Sequence, residues 1–260
     1  MILVIAEKPS VAQSIAKVLD CTGRQEGYLE GNNYLVSWCV GHLIELAEPE
    51  DYDGKYEIWK KEDLPIIPET FKYRVAMATK KQFKVLKELM HREDVTAVVN
   101  ACDAGREGEL IFRLVYEEAR CNKEMLRLWI SSMEDEAIRN GFENLESGSK
   151  YDSLYEAALC REHADWLVGI NGTRFFTTLY GQTLNVGRVM TPTLALVVER
   201  EAEIKAFLPE DTFTVILRTE AGDLASKKFK DRDEAKALLE KCMLSGKGRI
   251  TLCQWNIPVE

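Results

Sequence analysis

Two short acidic stretches carry the residue types from which a chemical site could be built. One is Ala6-Glu7-Lys8-Pro9-Ser10 and the other is Asp103-Ala104-Gly105-Arg106-Glu107-Gly108-Glu109. Carboxylate oxygens are the ligands that hard divalent cations take. Gly105 and Gly108 let a phosphate or a metal come close to the backbone, and a helix starting there favours an anion at its N-terminus. Arg106 adds a cation directed at phosphate. The bland alternative is that Asp103 and Glu107 cap a helix while Glu7 merely ends a strand. That alternative suits either stretch alone better than it suits both together.

For the two stretches to meet, strand ends must bring them together. Residues 2–6 are an apolar run that stops at Glu7, and Pro9-Ser10 open a helical pattern with Val11, Ile15, Val18 and Leu19 on one face. Residues 34–40 read as a strand ending at Gly41-His42, and residues 95–101 as a buried strand ending at Asp103. A helix follows over 107–120 and a fourth strand over 126–130. Strands alternating with helices imply βαβ units and a mainly parallel sheet, in which ligands sit at the C-terminal strand ends. Glu7 and Asp103 both fall there. From residue 134 the pattern turns helical, over 134–145, 150–179 and 192–206. A strand over 212–218, a helix over 232–243 and a strand over 248–255 close the chain. The expected fold class is α/β, with an α/β domain over 1–135, a helical block over 136–208 and the beginning of a β-containing domain over 209–260.

The net charge of −9 argues against a protein that coats nucleic acid nonspecifically, though a local basic groove is compatible with it. Seven cysteines with no CxxC pair point to a reducing compartment and to no structural zinc here. The apolar start is too short for a signal peptide and no stretch is long enough to span a bilayer, so a cytoplasmic protein with no membrane partner is expected. Neither a GxGxxG nor a Walker loop occurs, so no nucleotide cofactor is expected.

Glu7 after a first strand, with the Asp103-to-Glu109 motif after a later one, resembles the Toprim domain. This Rossmann-like metal-binding fold is shared by topoisomerases, bacterial primases and some nucleases. Toprim domains normally have Asp-x-Asp where this chain has Asp103-Ala104-Gly105, which removes one metal carboxylate. The segment Asn185-Val186-Gly187-Arg188-Val189-Met190-Thr191-Pro192-Thr193 resembles the DNA-contacting segment of type IA DNA topoisomerases, with Met190 where most of the family has Gln. Residues 164–174 are similar to a neighbouring family segment. Gly41-His42-Leu43-Ile44-Glu45-Leu46 and residues 59–65 resemble the topoisomerase III branch.

The resemblance implies single-strand DNA breakage, passage and rejoining through a 5′-phosphotyrosine, with single-stranded DNA as the partner. It assigns Glu7 as acid/base, Lys8 as the phosphate-neutralising cation, and Glu7, Asp103 and Glu107 as ligands of Mg²⁺, for which Mn²⁺ could substitute. DNA contacts fall to Arg106, Arg174, Asn185, Val186, Gly187, Arg188, Val189 and Met190. Trp59 and Trp166 join them as stacking faces, each worth about 1–3 kcal/mol per base, or else they serve as packing. None of the nine tyrosines lies in the Tyr-Pro-Arg type of context that the family uses. The expectation is therefore half an active site, with the remainder of a topoisomerase chain as its other partner. A complete Toprim nuclease or primase, and a module that only binds single strands, are the competing readings.

Overall fold

The computed structural model describes residues 1–219 and 222–245. Its first compact unit, Met1–Thr193, is organised by a seven-stranded sheet. β1 (Ile2–Ala6) leads into α1 (Pro9–Val18), where Pro9 opens the first turn, its missing N–H costing nothing there. β2 (Gly23–Gln25), β3 (Tyr28–Gly31) and β4 (Tyr34–Trp38) form an antiparallel meander on one side. A small separate ribbon pairs β5 (Ile44–Leu46) with β6 (Tyr73–Val75), and α2 (Lys80–Met90) leads back to the sheet. The central strand β7 (Ala97–Ala101) enters α3 (Arg106–Glu118), followed by β8 (Glu124–Arg127), α4 (Asp135–Glu143) and β9 (Glu146–Ser147). The long helix α5 (Asp152–Tyr180) ends at Gly181, whose positive φ of 70° supplies the left-handed cap.

The strand order is β2-β3-β4-β1-β7-β8-β9. The four central strands run parallel and the outer pairings are antiparallel, so the expected parallel sheet is the middle of a mixed one. Alternation sorts the strand residues between two layers. Leu3, Ile5, Leu35 and Val98 face α2, α3 and α5, while Val4, Ala6, Val36 and Val99 face α1 and α4.

Eight of the expected elements appear within two residues of their anticipated bounds: β1, β4, β7, α3, α4, α5, the helix α6 (Met190–Ala206) and α7 (Arg232–Ser245). β8 starts and ends earlier than 126–130. α2 and the β2–β3 hairpin were not anticipated. In the second unit, from Leu194, the 212–218 strand is shorter: β10 (Ile216–Thr219) pairs antiparallel with β11 (Gly222–Ala225), and Phe213 bridges Phe229. The strand expected over 248–255 lies outside the described residues.

Candidate active site

Strand register decides which side chains meet. Ala6 of β1 sits between Trp38 of β4 and Ala101 of β7, so Glu7 emerges level with the ends of both neighbours. Glu7 is buried, and its Oε2 accepts from the Asp103 backbone N–H at 3.4 Å. The Lys8 ammonium lies 3.3 Å from Glu7 Oε1 and 3.8 Å from Asp103 Oδ2, bridging the two carboxylates. Bonding to Glu7 first, and then the charges of Glu7 and Asp103, hold the Lys8 ammonium above its ordinary range. The two sequence stretches therefore converge on one point.

Gly108 explains how α3 begins so close to the Asp103 turn. A Cβ there would stand 2.1 Å from the Asp103 carbonyl oxygen, so only glycine lets the first helical turn fold under that loop. Arg106 is exposed at the start of α3. Glu107, one residue on, points to a residue outside the expected set, with its Oε1 2.5 Å from His42 Nε2. His42 follows Gly41, whose φ of 79° turns the chain sharply after β4. The Gly41-His42 pair was the available signal, since it ends a strand beside Glu7. A cavity of about 590 Å³ opens here, lined by His42, Arg106, Glu107, Arg161, Glu162 and Asp165.

A second cavity of about 350 Å³ is lined by Glu50, Trp59, Trp166, Arg174, Asn185 and Val186. Five of the residues expected to contact DNA thus meet in one place, apart from the carboxylates. Their present partners are internal. Arg174 is buried, donating to the Tyr56 carbonyl at 2.6 Å and to Glu50 at 2.8 Å, with its guanidinium 4.9 Å from the Trp59 ring. Trp166 donates Nε1–H to the Ala47 carbonyl and meets Tyr52 and Phe71 edge-on. The Val186 N–H bonds to Thr173 Oγ1 and the Gly187 N–H to Thr191 Oγ1, which fixes the segment's backbone. Arg188 is paired with Asp165 at 2.7 Å. Val189 and Met190 are exposed.

Among the described residues no three His, Cys, Asp or Glu side chains converge as a metal cage. Glu7 and Asp103 offer two hard oxygen donors, a set that suits Mg²⁺ retaining most of its waters. No helix of the described residues is long and apolar enough to cross a membrane.

Parallel strands ending in carboxylates, with a glycine-bearing turn into α3, define a Toprim-type acidic centre. The Toprim domain family matches residues 2–133 and the DNA topoisomerase family matches residues 149–255. The proteins named DNA topoisomerase 3 of Shouchella clausii (strain KSM-K16) and Bacillus subtilis (strain 168) are similar to this chain. The first is 47% identical over 93% of this chain and 34% of its own length, the second 51% over 80% and 28%. Full-length topoisomerase I from Thermotoga maritima shares the fold at TM-score 0.62, with 23% identity over 91% of this chain and 37% of that one. The chain belongs to the type IA DNA topoisomerases, in the topoisomerase III branch, and carries their Toprim domain. It spans about a third of the length of these relatives.

Proposed function

We propose that this chain supplies the acid/base and phosphate-neutralising half of a type IA topoisomerase centre, acting on single-stranded DNA in the cytoplasm. The observation that carries this reading is the Lys8 ammonium bridging Glu7 and Asp103 at the strand ends. Strand breakage by a tyrosine hydroxyl needs a proton for the departing 3′ oxygen and positive charge on the phosphate. Glu7 is the proton donor and, on rejoining, the acceptor. Lys8, half-exposed beside it, swings from the carboxylates onto the phosphate.

Glu7 and Asp103 would hold Mg²⁺ or Mn²⁺, with Glu107 as a further oxygen ligand. A bound ion would supply positive charge beside the phosphate and the 3′-oxygen. Arg106 and Arg188 serve the DNA backbone. Arg174, expected there too, is buried against Tyr56 and Glu50 and instead holds the wall of the second cavity. Trp59 and Trp166 offer edges or faces to the DNA bases. Asn185, Val186, Gly187, Val189 and Met190 shape the path of the strand. We assign 1–135 to the Toprim domain, 136–208 to the helical DNA-binding block and 209–260 to the start of a β-containing gate domain.

The test is oligonucleotide cleavage by this chain joined to the rest of a relative's length. Glu7→Gln should lower cleavage by roughly 10²–10⁴-fold, the usual weight of a general acid. Undiminished cleavage in that variant would sink the assignment. Metal-dependent cleavage with no protein–DNA adduct would favour a Toprim nuclease instead.

A further inference from the structure

The last acid of the motif, Glu109, faces inward and is 1% exposed. Its Oε1 lies 2.6 Å from Arg127 Nε and accepts from Asn100 Nδ2 at 3.0 Å, and its Oε2 accepts from Arg113 Nε at 3.1 Å. Arg127 is equally buried. One of its terminal nitrogens, Nη1, donates to the carbonyls of Asn100 at 3.0 Å, Cys102 at 2.7 Å and Leu128 at 2.9 Å. The other, Nη2, donates to the Asp103 carbonyl at 2.8 Å. Asn100 adds a further tie, its Oδ1 accepting from the Cys102 N–H at 3.0 Å. Three of the four carbonyls from Asn100 to Asp103 are thus held by one guanidinium.

Stability does not account for this arrangement. Burying two opposite charges costs desolvation on both sides, and well-packed apolar residues commonly serve a core as well. What an apolar pair cannot do is fix the direction of several carbonyls at once. A guanidinium can, because its donors lie in a rigid plane; a lysine presents only a point charge. Holding the Asp103 carbonyl from below sets the rotation of that residue, and with it where the carboxylate meets Lys8 and Glu7.

We propose that Arg127 and Glu109 are positioning residues for the acidic centre: Arg127 clamps the Asn100–Asp103 backbone, and Glu109 neutralises and orients Arg127. Arg113 extends the clamp to the start of α5, donating to Asp152 at 2.7 Å and to the Gly148 carbonyl at 2.7 Å. The proposal rests on reading Glu7 and Asp103 as a centre for a divalent cation and a phosphate.

The double variant Arg127→Met/Glu109→Gln removes one charge of each sign, so the net charge is kept while the clamp is lost. Metal-free amide exchange at residues 103–107 should quicken roughly tenfold or more, the worth of a hydrogen bond to a charged group. Amides of β1 should be unchanged. Mn²⁺ affinity, read by electron paramagnetic resonance with Mn²⁺ alone, should fall by about 10–100-fold, as it does when a metal ligand loses its support. Arg127→Lys should lie between wild type and double variant in both measurements, and it carries the test if circular dichroism shows the double variant unfolded. Exchange at 103–107 that is unchanged, or that rises only in step with β1, overturns the proposal. Failure of the wild-type chain to bind Mn²⁺ would count against the divalent-cation reading, and the exchange measurement would still decide the clamp.

Discussion

Taking the ammonium away from Lys8 leaves Glu7 and Asp103 facing each other with nothing between them. Two like charges at short range favour whatever cation arrives next. Lys8→Gln should therefore bind Mn²⁺ several-fold more tightly than wild type, while the recombined protein loses cleavage because the phosphate has lost its counter-charge. Isothermal titration of the isolated chain with MnCl₂ measures the first effect, and equal or weaker affinity would show that Lys8 does not compete for the carboxylates. A similar internal rival holds Arg188, which Asp165 keeps at 2.7 Å and whose carboxyl is in turn held below its ordinary range, chiefly by its bond to Arg188. Asp165→Asn should free the guanidinium and tighten oligonucleotide binding. Arg188→Ala should weaken binding and flatten the salt slope by about one unit. Anisotropy titrations at several salt concentrations separate these outcomes. Identical slopes in wild type and Arg188→Ala would remove Arg188 from the phosphate contacts.

Elements place these residues, and most of the placing was legible because local signals agreed. Pro9 after Glu7 marks α1, and the Asp-to-Gly turn after an apolar run marks the entry to α3. What was not legible depended on distant partners. α2 hides four core residues, Phe83, Leu86, Leu89 and Met90, among four lysines. His42 gains meaning only from Glu107, 65 residues away in the chain. Arg127 stands where an apolar strand was expected, and a lone charge in such a run was the one clue to a buried role. Packing of α5 against the β5–β6 ribbon creates a further feature that sequence hides. Tyr73 donates to Glu162 Oε2 at 3.0 Å and is 2.9 Å from His163 Nε2. Burial pushes the Glu162 carboxyl above its ordinary value of 4.5, against the opposing pull of the Tyr73 bond and His42. An acid whose folded pKa is raised contributes stability that is fully present below its unfolded value and is lost as pH rises through the folded one. Glu162→Gln keeps the acceptor for Tyr73 without the charge. Its Tm should exceed wild type by a few degrees near pH 8, and the gap should close as pH falls towards 4.5. A gap that widens on acidification would contradict burial as the cause.

At the scale of the whole molecule the net charge of −9 and the polyanion proposed as substrate pull apart, so on that proposal binding must rest on local geometry. The two cavities would provide it, one beside the carboxylates and one beside Asn185–Val186. Chemistry also needs a nucleophile, and four of the nine tyrosines of the chain donate their hydroxyls elsewhere. Tyr73 donates to Glu162, Tyr116 to the Lys123 carbonyl, Tyr151 to Glu146 and Tyr155 to Glu117. Burial pushes the Tyr116 and Tyr151 phenols up to about 12. Among the described residues no tyrosine hydroxyl bonds to Glu7, Lys8 or Asp103. The most exposed one, Tyr180, ends α5 and flanks the second cavity's segment rather than the acidic centre. This chain incubated alone with a single-stranded oligonucleotide and Mg²⁺, then denatured, should leave no covalent protein–DNA species on a gel. Supplying the remaining length of a relative's chain should restore the adduct if the two parts associate, and Glu7→Gln should then suppress it. An adduct formed by this chain alone, and lost in Tyr180→Phe, would place the nucleophile at the end of α5 and require that helix to move its C-terminus to the Glu7–Asp103 pair.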